Sequence, residues 1–204
     1  FRGSRADAAG GGAELYGRRD LQRSRVLGAL GTPIVFWILL GSGLGSSFQV
    51  GPADSQTIGY LEYFYPGTLA LILLFTAIFS TISVIEDRHE GFLQGVLVAP
   101  IPRISIVLGK MLGGTTLALI QSLLFLLLAP IANIQIGLAS MPMLVVVLAT
   151  LAFALTGLGF ILAWIIDSTQ GFHAIMNLLL FPMWLLSGAV FPPAGATEWI
   201  RSLM

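Results

Sequence analysis

Cysteine is absent from this sequence, which excludes a disulfide framework and any thiolate metal site. Charge is nearly as scarce. Asp, Glu, Lys and Arg make up 10% of the 204 residues, where soluble domains carry about 25%, so a water-coated globular domain is excluded. None of these four residue types occurs from Val26 to Ala53, from Tyr63 to Ile85, from Met111 to Ile166 or from Ser168 to Thr197. A bilayer-spanning helix needs about 20 mostly apolar residues, so each run holds at least one span. The run Met111–Ile166, 56 residues long, has room for two. The net charge is zero and says little about partners, because the few charges are unevenly placed.

Nucleotide and metal signatures are missing too. Gly109–Lys110 suggests a phosphate loop, but that motif needs glycine at position 104, which is Ile104, and Ser or Thr after the lysine, which is Met111. His89–Glu90 is not a zinc-protease pair, since Leu93 stands where a second histidine belongs. The remaining histidine, His173, falls in a different expected loop. No ionisable residue sits at mid-membrane depth. Ion-coupled carriers keep such groups there despite their cost in lipid, so the lack argues against a carrier and against an intramembrane hydrolase. Gln121 and Asn177 are the polar side chains nearest mid-span. They suit hydrogen bonding between helices, and contact with a substrate is the alternative.

What is present is a succession of spans, expected at about 27–44, 64–85, 104–128, 143–166 and 174–190. Residues 1–17, rich in Gly and Ala, read as a disordered lead-in, and residues 18–204 as one transmembrane domain. The first residue is Phe1, and the chain stops at Met204 soon after a span, which suggests a fragment. Arg18, Arg19, Arg23 and Arg25 precede span 1 and suit lipid phosphates or a topology anchor. A cytoplasmic N-terminus puts these four with Arg88, Arg103 and Lys110 inside, leaving only Arg201 outside, as the positive-inside rule requires. "YLEYFYPG" at the entry to span 2 resembles an interfacial aromatic belt, with Pro66 suited to a first helical turn. Gly41 with Gly45, and Gly109 with Gly113, have the spacing of close helix packing within a bundle.

The charges gather in "EDRHEGFLQGVLVAPIPR", residues 86–103. Projected as a helix over 86–99, it puts Glu86, Asp87, Glu90 and Gln94 on one side, with Phe92, Val96 and Ala99 opposite. Pro100 and Pro102 then stop the helix. A loop resting on the membrane and a helix docked on a soluble partner both fit.

"YLEYFYPGTLAL", "EDRHEGFLQGVLVAPIPRISIVLGK" and "FPMWLLSGAVFPP", in that order, resemble the type-2 ABC transporter permeases, of the small drug-resistance and nodulation-oligosaccharide export branch. The resemblance implies an all-α polytopic helical membrane protein with five of six spans present and an amphipathic coupling helix between spans 2 and 3. It implies a partner ATPase subunit that binds ATP and Mg, leaving this chain with no cofactor and no catalytic residue, and a dimer with a second permease copy or paralogue. Coupling to the ATPase is assigned by the resemblance to Glu86, Asp87, Arg88, Glu90, Gly91, Phe92, Leu93, Pro100 and Arg103. The link around Asp167 to His173 becomes a second, smaller cytoplasmic contact. Substrate would pass along the interface of two permeases, with spans 1, 2 and 5 as candidates. The setting implied is a bacterial inner (plasma) membrane, and nucleic acid is not a partner.

Overall fold

A computed structural model of the chain describes Gly31, residues 33–43, 59–91 and 102–190, and Glu198. The expected lead-in and the four arginines before span 1 lie outside the described residues. Helices are α1 (Pro33–Gly43), α2 (Tyr60–Phe79), α3 (Ile82–His89), α4 (Arg103–Leu126), α5 (Met141–Ile165) and α6 (Thr169–Trp184). Short 3-10 turns, Ala129–Ala132 and Leu138–Ser140, join α4 to α5, and a π-turn, Leu185–Ala189, extends α6. Among the described residues there is no strand. Four stretches of the described residues are long and apolar enough to cross a membrane: Tyr60–His89, Arg103–Leu126, Leu138–Ile165 and Thr169–Ala189. Of the expected span 1, α1 is the described part. This is a polytopic helical membrane protein.

α2 is the central helix. It packs against α4, α5 and α6, and half of its apolar stretch is buried, against 22% for each of the other three spans. The outer helices turn large apolar side chains outward instead, among them Met143, Val146 and Leu178. In lipid such exposure is favourable, provided backbone polar groups bond internally, as helices ensure.

The ends of the bundle differ. Tyr60, Phe64 and Tyr65 are buried, so the belt expected at the membrane interface is turned into the bundle. Each buried phenol needs a partner, and each donates to a backbone carbonyl. Tyr65 donates to Phe125 O near the end of α4 (3.0 Å), Tyr60 to Val190 O (2.9 Å), and the half-buried Tyr63 to Gly188 O. Trp184 Nε1 donates to Gly67 O (2.8 Å), and Trp37 Nε1 to Leu61 O (3.2 Å). Gly188, at φ 79°, occupies the left-handed region that glycine tolerates, which turns the chain at the end of the π-segment. Pro66 lies inside α2, six residues past Tyr60, and not in its first turn. The missing N–H there deprives the Glu62 carbonyl of its helical partner.

Two further boundaries depart from expectation. The expected span 2 is broken at Ser80–Thr81, where the hydroxyls of Ser80 and Thr81 donate to Ala77 O (2.7 Å) and Ile78 O (2.6 Å). Such back-bonding bends helices. α6 starts earlier than the expected span 5, because Ser168 Oγ accepts from Gly171 N–H (3.2 Å), a side-chain N-cap.

Close approach occurs at Gly41, where a Cβ would overlap the Leu61 side chain, but otherwise uses glycines outside the four-residue pairs. A Cβ on Gly67 would stand 2.7 Å from Ala189 O, and one on Gly159 2.9 Å from Thr81 Oγ1. Gly109 and Gly113 face open space, with nothing within 4 Å of such an atom. Gly67→Ala should therefore destabilise the bundle by about 1–3 kcal/mol through overpacking against backbone. Gly113→Ala should be neutral or stabilising by up to about 1 kcal/mol through helix propensity. Equilibrium unfolding in mixed micelles checks the opposite signs.

Candidate functional site: a charged junction at the mouth of a groove

At the other end of the bundle, α3 carries the charges. Its final turn is Glu86-Asp87-Arg88-His89, and Gly91 at φ 74° terminates it. Successive helical residues point about 100° apart, so Asp87 and Arg88 reach different neighbours. Asp87 Oδ2 lies 2.5 Å from Lys110 Nζ on α4, and Lys110 also donates to Ser83 Oγ (3.2 Å).

Arg88 turns toward α5. Its guanidinium donates to Trp164 O (2.9 Å), Ile166 O (2.8 Å) and Ala163 O (3.3 Å). The last carbonyls of a helix have no intrahelical donor and form the negative end of its dipole. Arg88 satisfies both, with its guanidinium carbon 6.0 Å from the centroid of the Trp164 ring. Asp167 Oδ1 approaches Arg88 to 3.3 Å, and the Asp167 carbonyl meets His89 Nε2 at 2.5 Å.

Arg88 and Asp167, assigned to two separate contacts from sequence, thus form one cluster. His173 does not join it. It lies in the second turn of α6, not in a link, and its ring packs 4.8 Å from that of Phe79. Glu86 and Glu90 are exposed and Gly91 is partly exposed, and Arg103, also exposed, opens α4. Phe92, Leu93 and Pro100 lie outside the described residues. The helix expected over 86–99 therefore begins differently: Glu86 to His89 complete α3, and Glu90–Gly91 form its terminating turn. Among the described residues no group of three or more His, Cys, Asp or Glu could hold a metal ion.

Beside this junction opens a groove of about 1200 Å³ between α1, α2–α3, α4 and α6. Ser83, Glu86, Lys110 and Gln170 form its charged mouth, and Phe36, Phe75, Leu117 and Phe181 are among its walls. Thr76, Gln121 and Asn177 interrupt those walls with uncharged polar groups. Spans 1, 2 and 5 were the candidates for a substrate path, and each contributes through α1, α2 and α6. Span 3 lines the groove as well, through α4. Lys110, Gly113, Gly114, Leu117 and Gln121 recur at helical spacing, a stripe along one side of α4 that is small or polar except at Leu117. Gly109 and Gly113 line this space instead of packing against a neighbouring helix.

Fold and groove together define a multi-pass helical membrane protein with an amphipathic cleft beside a charged junction. The sequence profile of the ABC-2 type transporter family matches residues 14–204, and the chain belongs to that family. It is 31% identical over 170 residues to Nodulation protein J of Rhizobium leguminosarum bv. viciae, covering 82% of this chain and 63% of that one. Nodulation protein J of Sinorhizobium fredii is 30% identical over 183 residues, covering 87% and 67%. "Probable multidrug ABC transporter permease YbhR" of Escherichia coli (strain K12) is 25% identical over 151 residues, covering 73% and 41%. The chain thus spans between 41% and 67% of the length of these relatives. No solved structure matches it.

Arg88 and Asp167 should contribute unequally. The Arg88 side chain is 28% exposed and that of Asp167 87%. Surface carboxylates add little to an ion pair, whereas bonds from a charged donor to otherwise unbonded carbonyls are worth about 1.5–3 kcal/mol. Arg88→Ala should destabilise the chain by about 2 kcal/mol, and Asp167→Asn by less than about 0.5 kcal/mol. Unfolding of the two variants side by side checks the ratio.

Proposed function

We propose that this chain is the membrane-spanning permease subunit of an ATP-driven exporter, energised by a separate ATPase subunit that carries ATP and Mg. The observation that carries this reading is the wiring of the last turn of α3. Asp87 ties it to α4, Arg88 ties it to the end of α5, and the groove opens beside both. A displacement of the segment after His89 would reach three spans through bonds a few ångströms long. Family membership supports the partner, and the nodulation and multidrug relatives support a hydrophobic or amphipathic substrate such as a drug, lipid or glycolipid.

In this reading Glu86, Asp87, Arg88, Glu90, Gly91, Phe92, Leu93, Pro100 and Arg103 form the coupling segment, with Asp167 and His173 at a second, smaller contact. The exposed Glu86, Glu90 and Arg103 would meet the ATPase, while Asp87 and Arg88 transmit. A second permease copy or paralogue would complete the pathway. The protein would sit in a bacterial inner (plasma) membrane with its N-terminus in the cytoplasm. ATP drives such a cycle only by favouring one conformation over another.

Reconstitution of the full-length protein with its ATPase tests this reading. Replacing Glu90, Phe92 and Arg103 together should abolish assembly and ATP-driven export. Arg88→Ala should preserve assembly but lower export at least tenfold and make the ATPase rate independent of substrate. Transport by the purified protein without an ATPase would overturn the reading in favour of a channel or ion-coupled carrier. Docking of an ATPase that never responds to substrate would leave a membrane scaffold instead.

A further inference from the structure

We infer that the middle of the groove is a binding site for an uncharged amphiphile, with a hydroxyl or carbonyl oxygen held by Gln121 and Asn177. This deepens the exporter reading by naming a ligand class, and its transport meaning rests on that reading.

Gln121 is only 3% exposed, yet it lines the groove. Its Oε1 accepts from the Thr76 hydroxyl, which fixes the amide plane and leaves the nitrogen without a hydrogen-bond partner among the described residues. That nitrogen is a donor open to the groove, and one held by a second helix is already oriented.

Asn177 stands at the same depth. The ring of His173 packs on Phe79, and α2 and α6 run antiparallel, as the bond from Trp184 to Gly67 at their other end requires. One turn along from that contact brings Phe75 on α2 level with Asn177 on α6. Thr76, the partner of Gln121, follows Phe75. Two amides from two helices therefore meet one level of the groove, among Phe36, Phe75 and Phe181.

Charge selects the ligand class. Among the described residues, the ionisable groups lining the groove besides His173 are Glu86 and Lys110, both at its mouth, and Lys110 is neutralised by Asp87. An ionic group carried to the level of Gln121 would find no counter-charge in a membrane interior, where isolated charge is expensive. A neutral oxygen accepts from both amides, and an apolar body rests against the phenylalanine walls.

Photolabelling of the full chain in nanodiscs tests this assignment. Three probes share one diazirine-bearing hydrocarbon tail: a monoacylglycerol, an oxygen-free hydrocarbon and a fatty-acid anion. The monoacylglycerol should label the groove about fivefold more than the hydrocarbon, the effect of about one hydrogen bond, and more than the fatty acid. Gln121→Leu and Asn177→Leu should each lower it, and together bring it to the hydrocarbon level, while leaving labelling by the hydrocarbon unchanged. Asn177 is exposed, so its substitution keeps the test independent of folding. Equal labelling by the oxygen-bearing and oxygen-free probes, a preference that survives both substitutions, preferred labelling by the fatty acid, or no labelling in the groove would each overturn the assignment. No ATPase enters the assay, so its failure leaves the exporter reading standing, and transport without an ATPase leaves the binding site standing.

Discussion

The guanidinium of Arg88 seated on the end of α5 is the contact on which the charged end of the bundle depends. A membrane helix finishes with carbonyls that neither lipid nor its own backbone can satisfy. Here three of them are met by one side chain from a helix far away in sequence. The neighbouring residue, Asp87, makes the complementary bond to α4. Two adjacent positions on a short helix therefore fix the separation of two long ones. Because α6 begins just after the Arg88 cluster, capped by Ser168, its starting point is set by the same contact.

The groove follows from what surrounds this junction. α2 packs on α4, α5 and α6, while glycines on α4 leave one flank open. At the far end the aromatic residues close the bundle, each polar tip bonded to a carbonyl near a helix end or turn. The cavity is thus held at both ends by side chains bonded to backbone, and between them its described walls carry no Asp, Glu, Lys or Arg. The described walls of that space are largely apolar, with polar groups at selected points.

Much of the architecture was legible in the sequence because charge is expensive in lipid. The uncharged runs located the spans, and the density of charge at Glu86–His89 located the junction. The destinations of individual side chains were not legible. Whether Tyr60 faces headgroups or Val190 depends on the path of a span more than a hundred residues later, which no local pattern encodes. Gly67 and Gly159 matter through the partner facing them, so the pairing of Gly109 with Gly113 misled. His173 was placed in a link because Asp167 and Ser168 look like loop residues, although a serine before a helical run is also an N-cap. Arg88 and Asp167 were both singled out, but only three-dimensional packing shows that they meet.

The hydroxyl-bonded break at Ser80–Thr81 divides α2–α3 into an anchored beam and a lever arm. The beam belongs to the aromatic end, while the lever packs into a separate apolar cluster with Phe172, Met176 and Leu180. From Ser80 to His89 the arm is about 13 Å long at the helical rise. A tilt of about 10° at the break displaces its tip by about 2 Å, the scale at which a hydrogen bond is made or lost. A displacement of that size is enough to break the bonds from Arg88 to the end of α5.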